Sequence, residues 1–218
     1  MKYLFLDFGK VICYPATGEW FITPYLEEFI KRKRFSRKKI LASVNSFGHI
    51  LDRKYDSMED EVIMFHDFYK GIFDLLHYKV SEKDLDYIAN DITYSTTKYQ
   101  IYKGVADELK ELKKKYKLIL LTDNWPCGEY LMRIWSLSDY FEKMYISSYY
   151  GVKKNNQEFF KIPIKEFNLK ADDIIFVDDN DIPLDTATSL GIKVYKMDRT
   201  NTITEDKYEV IHSLNEIK

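Results

Sequence analysis

Five short apolar runs punctuate the chain: Lys2–Leu6, Leu118–Leu121, Met144–Ser147, Ile174–Val177 and Lys193–Tyr195. Each is short and nearly continuous, as expected of strands buried on both faces of a parallel sheet. Amphipathic stretches of helical length separate the later runs. Val105–Tyr116 sets Val105, Leu109 and Leu112 on one face, and Gly128–Tyr140, Gln157–Asn168 and Ile182–Leu190 follow. Gly191 stands where the last of these needs a left-handed cap. Pro163 predicts a break or kink in Gln157–Asn168, because proline removes a backbone donor and crowds the preceding turn. Strand–helix alternation of this kind predicts an α/β fold, a three-layer Rossmann-like core built on a parallel sheet.

The stretch between the first two runs has a different rhythm. Pro24–Arg34 carries Tyr25, Leu26, Phe29 and Ile30 at helical spacing. Ser36 resembles an N-cap for a helix through Ile40 and Leu41, and Ser57–Leu76 reads as long helix. Ser81 precedes Glu82–Ile92, with Asp84 three residues on as a capping-box-like acid. The pattern predicts an all-helical insertion over 15–97, set into an α/β core made of 1–14 and 98–218.

Composition narrows the class. The chain has 218 residues, 45% hydrophobic and 31% charged, the mix of a globular protein with a sizeable core. A net charge of −2 argues against a strongly basic nucleic-acid binder. The basic run Lys31–Lys39 reads as a solvated helix end, with Asp52–Glu61 as acidic balance. Cys13 and Cys127 are too few for a disulfide scaffold or a zinc site, and the four histidines lack ligand spacing. No apolar run approaches the roughly 18 residues of a membrane span. The expectation is a cytoplasmic protein with no nucleic-acid or membrane partner. Its oligomeric state is left open.

Working groups in parallel α/β sheets sit at the C-terminal ends of strands. Here those ends read Leu6-Asp7-Phe8-Gly9-Lys10, Leu121-Thr122-Asp123-Asn124, Gly151-Val152-Lys153-Lys154 and Phe176-Val177-Asp178-Asp179. Carboxylates, a hydroxyl and an ammonium are therefore expected on one edge. A carboxylate can attack phosphorus and form an acyl phosphate. Hard oxygen donors such as Asp7, the Gly9 carbonyl and Asp179 suit Mg²⁺. A hydroxyl, backbone N–H groups and a lysine can hold phosphoryl oxygens, which phosphoryl transfer mainly requires. Asp7-Phe8-Gly9 also spells the kinase D-F-G. It stands at the N-terminus without the Gly-rich loop or H-R-D segment of a kinase.

In this order the segments resemble the haloacid dehalogenase superfamily. Leu4–Val11 (LFLDFGKV) is similar to its first motif, Leu118–Asn124 (LILLTDN) to its second, Gly151–Phe160 (GVKKNNQEFF) to its third and Ile174–Gly191 (IIFVDDNDIPLDTATSLG) to its fourth. The resemblance implies Asp7 as nucleophile, Thr122 as phosphate ligand and Lys154 as charge partner. It implies Asp123 and Asn124 beside the substrate. Asp7, Gly9, Asp179 and Asp178 would hold Mg²⁺, with Asp178 a ligand or one step removed. The insertion resembles the helical cap that closes over small substrates in this superfamily. The implied activity is Mg²⁺-dependent hydrolysis of a small phosphomonoester, such as a sugar phosphate, through an aspartyl-phosphate.

Three departures bear on that reading. Gly9 replaces the second aspartate of motif one, the usual acid–base group, whose loss costs roughly 10²–10⁴ in rate. Relatives with D-x-G-N-V or D-x-G-G-V include sugar-phosphate phosphatases, and leaving groups of lower pKa would then be favoured. Lys10 stands where those relatives have a small or amide residue. Asn155 replaces the proline after the motif-three lysine, and Asp123 stands where Asn is common, so Lys153 competes with Lys154 for the charge role. Gly9 and Lys10 leave open a weak or inactive protein that binds a phosphorylated ligand or a partner, with a buried Lys10 amine in the metal position. A metal-free 2-haloacid dehalogenase is a further alternative, opposed by the Asp178–Asp179 pair.

Overall fold

The computed structural model describes residues 1–218. In chain order the elements are β1 (Lys2–Leu6), β2 (Cys13–Pro15), α1 (Pro24–Lys33), α2 (Arg37–Ser43), α3 (Gly48–Leu51), α4 (Met58–Leu75) and α5 (Glu82–Tyr94). Then come β3 (Tyr99–Ile101), α6 (Val105–Lys113), β4 (Tyr116–Thr122), α7 (Pro126–Ile134), β5 (Phe141–Ile146), α8 (Ser147–Tyr150) and α9 (Gln157–Glu166). The last are β6 (Ile174–Asp178), α10 (Asp181–Ser189), β7 (Lys193–Met197) and β8 (Val210–Ile211). The chain forms two compact units, Met1–Tyr14 with Ile101–Lys218, and Pro15–Gln100.

The first unit carries a six-stranded parallel sheet in the order β5-β4-β1-β6-β7-β8. All five apolar runs fall in its strands, except that Ser147 opens α8 and β5 begins earlier, at Phe141. Alternation along each strand sends side chains to opposite faces. Tyr3, Phe5, Ile119, Leu121 and Phe176 share a core with Phe159 and Phe160 of α9 and with Leu184 and Ala187 of α10. Leu4, Leu6, Leu118 and Leu120 alternate with them and are fully buried. Helices flank the sheet, which makes the core a Rossmann-like α/β fold.

The strand order places the site. After β1 the chain builds outward through β4 and β5, then returns to the other side of β1 for β6 and β7. That reversal leaves a crevice at the C-terminal end of β1, between β4 and β6, where open α/β sheets bind ligands.

The second unit is helical, and short polar side chains start its long helices. The oxygens of Thr23, Ser36, Ser57 and Ser81 accept the backbone N–H of Leu26, Lys39, Asp60 and Asp84 respectively. Each satisfies one donor that a helix start leaves unpaired. Its core is aromatic. Phe65, Phe68, Tyr69 and Phe73 of α4 are buried on one face, and the Tyr69 hydroxyl donates to the Phe21 carbonyl at 2.7 Å.

Several boundaries differ from the expectations. Helix α9 runs through Pro163 without a break. The ring is buried, and the Phe167 N–H still donates to the Pro163 carbonyl at 3.0 Å. Proline therefore removes one donor near the end of the helix, and packing of its ring compensates. The stretch Gly128–Tyr140 is two pieces, since α7 begins at Pro126 and ends at Ile134. Ser136 then adopts a left-handed backbone, and Ser138–Tyr140 forms a 3₁₀ turn. The helix expected over Val105–Tyr116 stops at Lys113, because Tyr116 and Lys117 pair with Lys2 and Tyr3 as strand. Gly191 does take the left-handed conformation at the end of α10, with φ 79°.

Candidate active site

Asp7 follows β1 directly, and its backbone N–H still donates to the Val177 carbonyl at 3.0 Å. That last sheet bond fixes the carboxylate at the strand end. Beyond it the chain turns sharply. The Lys10 N–H donates to the Cys13 carbonyl at 2.7 Å, Gly9 bridges to Cys13, and Lys10 takes a left-handed backbone with φ 53°. Thr122 closes β4 and is buried, and Asp178 closes β6 and is 1% exposed. Three strand ends thus deliver Asp7, Thr122 and Asp178 to the crevice, with Asp179 next in sequence.

A lysine joins them. The Lys154 ammonium lies 2.6 Å from Asp7 Oδ1 and 2.5 Å from Asp178 Oδ2, and its side chain is almost wholly buried. Burial alone would lower its pKa. The carboxylates of Asp178, Asp7 and Asp123 more than reverse that and hold it above the usual lysine value. The two acids beside it thus favour the ammonium form of Lys154. Lys153, its rival in the sequence, is half-buried.

Burial pushes the Asp178 carboxyl up, and Asp7 adds to the rise while Lys154 and the Asn180 N–H oppose it. Burial likewise raises Asp179, where Lys10 and Lys154 pull the other way. Such crowding of acids is costly without cations, and the cations are present. The Lys10 amine is not the buried group considered in one alternative. It is 57% exposed and pairs with Asp179 Oδ2 at 3.0 Å.

The residues after β4 divide their work. Asp123 Oδ1 accepts the Lys154 backbone N–H at 2.9 Å, so it grips the loop that carries the lysine. Asp123 has solvent on one side and protein on the other, and loss of water around it raises its carboxyl despite Lys154. The Asn124 side chain serves its own loop. Its Oδ1 accepts the Trp125 N–H at 2.8 Å, and its backbone N–H donates to Ser147 Oγ at 3.1 Å. Gly128 is required beneath it, because a Cβ there would lie 2.7 Å from Asn124 Nδ2. Cys13 and Cys127 are buried thiols in no disulfide, and the Cys127 thiol donates to Asn124 Oδ1 at 3.8 Å.

Asp7, Asp178 and Asp179 offer carboxylate oxygens that all lie within 4.8 Å of one another. A set of hard anionic oxygens at this spacing, with the Gly9 carbonyl in the same turn, fits Mg²⁺. Both Asp178 oxygens already accept a proton donor, from Lys154 and from the Asn180 N–H.

One supporting residue was not evident from the sequence. The Arg199 guanidinium donates twice to the Val11 carbonyl, at 3.1 and 2.9 Å, and twice to the Glu108 carboxylate, at 2.9 and 2.7 Å. The Ser213 hydroxyl also donates to Glu108. Burial alone would raise Glu108, but these donors keep its carboxyl below the usual range. Arg199 therefore ties the turn after Asp7 to α6 and to the C-terminal segment. It comes two residues after β7, a strand end that holds no motif.

A family model for haloacid dehalogenase-like hydrolases matches residues 1–187. The chain is 29% identical to the glyceraldehyde 3-phosphate phosphatase of Pyrococcus furiosus over 161 residues, 68% of this chain and 66% of that one. The matched stretch thus spans slightly less than two thirds of that relative. Among solved structures, the chain is similar to the hydrolase YfnB of Bacillus subtilis, crystallised with magnesium, at TM-score 0.71 and 15% identity, covering 99% of this chain and 96% of that one. It is also similar to a phosphatase of the same superfamily from Thermococcus onnurineus, at TM-score 0.68 and 18% identity, covering 99% and 95%. The four motif segments, the fold and the match over 1–187 agree, and the chain belongs to the haloacid dehalogenase-like hydrolase family.

Proposed function

We propose that the protein hydrolyses a small phosphomonoester through an aspartyl-phosphate on Asp7. The observation that carries this reading is the Lys154 ammonium between Asp7 and Asp178, with Asp179 completing three carboxylates at the end of β1. The nucleophile is held by the sheet at one end and by a buried cation at its oxygen. Thr122 and backbone N–H groups of the loop after β4 receive the phosphoryl oxygens, and Lys154 offsets their charge.

In the first half-reaction an Asp7 oxygen bonds to phosphorus and the bond from phosphorus to the leaving oxygen breaks. The leaving oxygen takes a proton from water, because Gly9 offers none. In the second, water attacks the phosphorus, regenerates the Asp7 carboxylate and releases inorganic phosphate. Asp7, the Gly9 carbonyl and Asp179 would hold Mg²⁺, which would supply Lewis-acid charge for the phosphoryl group. Asp178, with both oxygens engaged, orients Lys154 and the Asn180 turn. The helical unit Pro15–Gln100 is the candidate for substrate selection.

Triose and other sugar phosphates are the first class to try, given the name of the Pyrococcus furiosus relative. The test is phosphate release from a panel of triose, anomeric sugar, acyl and plain alkyl phosphates, with and without Mg²⁺. Mg²⁺-dependent release, fastest for leaving groups of low pKa, is expected. Halide release from a 2-haloacid without Mg²⁺, and no phosphate release, would replace this reading with dehalogenase chemistry.

A further inference from the structure

We propose that Lys10 is a tethered counter-cation that Mg²⁺ must displace from Asp179, so that it sets how tightly this site binds metal. The inference rests on the metal reading above. Its basis is the Lys10–Asp179 ion pair at 3.0 Å, on a carboxylate that belongs to the three-acid cluster.

The turn holds the lysine in place. Lys10 adopts φ 53°, a backbone region that side chains with a Cβ enter at a cost. The Lys10 N–H bond to the Cys13 carbonyl and the Gly9 bridge to Cys13 hold that conformation. The Arg199 guanidinium grips the Val11 carbonyl one residue further on. The Cα of Lys10 is therefore fixed by its neighbours. The side chain, 57% exposed, is free to swing.

Charge then decides who occupies Asp179. The carboxylates of Asp7, Asp178 and Asp179, with Asp123 beside them, face the ammoniums of Lys154 and Lys10, and Lys10 is the cation paired with Asp179 Oδ2. Lys154 cannot leave, because its ammonium is buried and bonded to two acids. A divalent cation on the same Asp179 oxygen would meet the Lys10 ammonium, 3.0 Å from that oxygen, unless the exposed side chain moves away. At a few ångströms, like charges in a half-buried site repel strongly. Metal and Lys10 thus exclude one another at the Asp179 oxygen, and each Mg²⁺ bound costs one ion pair.

The experiment is calorimetric titration of Mg²⁺ into the intact, metal-stripped protein, for wild type, Lys10→Met, Lys10→Arg and Lys153→Met. Lys10→Met is expected to tighten the Mg²⁺ Kd about five- to tenfold, the scale of one partly exposed ion pair plus relief of repulsion. Lys10→Arg keeps the charge and is expected to stay within about twofold of wild type. Lys153→Met removes the charge next to Lys154 that acts on Asp123, and is expected to change Kd by about twofold at most. Lys10→Asn, better suited to a left-handed backbone, repeats the test if Lys10→Met folds poorly. Saturating Mg²⁺ should also raise the Tm of Lys10→Met by more than that of wild type. Equal Kd for wild type and Lys10→Met would overturn the inference and leave the metal reading standing. An equal gain from Lys153→Met would overturn it as well, since net charge would then suffice. Absence of Mg²⁺ binding in both wild type and Lys10→Met would remove the metal reading and this inference together.

Discussion

Asp123 accepts the backbone N–H of Lys154 at 2.9 Å, so the end of β4 holds the loop that delivers the central lysine. The motif-two position after Thr122 therefore helps to place Lys154. Asp123→Asn keeps an acceptor oxygen and should leave phosphate release within about threefold of wild type. Asp123→Ala leaves the Lys154 N–H without its partner and should cost about 1–2 kcal/mol of stability, with a fall in kcat of about tenfold. Urea unfolding and steady-state phosphate release check the two together.

Gly128 sits under the Asn124 amide, and a Cβ there would lie 2.7 Å from Asn124 Nδ2. On helix propensity alone, Gly128→Ala would stabilise α7 by about 1 kcal/mol. The clash should reverse that sign and disturb the loop after β4. A variant that is both less stable and less active is expected in thermal denaturation and phosphate-release assays.

Arg199 and Glu108 form a pair with side chains 6% and 8% exposed. Removing one partner strands the other as a buried charge, which costs about 3–5 kcal/mol. Arg199→Met should show that loss in urea and should also loosen the Val11 turn. Adding Glu108→Leu to Arg199→Met should recover part of the stability, because no buried charge is then left. Additive loss in the double variant would contradict an ion-pair role.

Asp198 gives a pH signature away from the Asp7–Asp178–Asp179 cluster. Burial alone would raise its carboxyl, but N–H groups of Ile203, Thr202 and Thr200 and the Thr200 hydroxyl hold it well below the usual carboxylate range. A carboxylate whose folded pKa is depressed adds stability above its unfolded value of about 4, and that stability is lost as pH falls towards the folded value. Asp198→Asn turns amide hydrogens toward these donors and should lose about 1–3 kcal/mol at pH 7. The gap from wild type should shrink steadily below pH 4 in urea titrations.

The sequence made the sheet legible because its central strands are buried on both faces and must be apolar throughout. Lys2–Leu6 is such a strand and keeps its expected bounds. The short strands Cys13–Pro15, Tyr99–Ile101 and Val210–Ile211 were not foreseen, because two or three residues carry no periodicity. Pro163 misled for a physical reason. A local rule prices the missing donor and not the packing of a buried ring. At the site, strand-end position singled out Asp7, Thr122, Asp178 and Asp179 as candidates and the motif resemblance favoured Lys154, and the structure brings Lys154 to Asp7 and Asp178. The partnerships Asp123 with Lys154, Lys10 with Asp179 and Arg199 with Val11 join residues distant in sequence or turned by a backbone conformation, and no one-dimensional pattern encodes them.

The central claim is that Asp7 is the nucleophile of a phosphatase. Its most direct test is hydrolysis of p-nitrophenyl phosphate by wild type and Asp7→Asn, each with and without Mg²⁺. This substrate has a good leaving group, so the missing acid at Gly9 matters least. Mg²⁺-dependent turnover by wild type, with a loss of at least about 10³-fold in Asp7→Asn, is the expected result. Turnover that survives in Asp7→Asn would contradict the account.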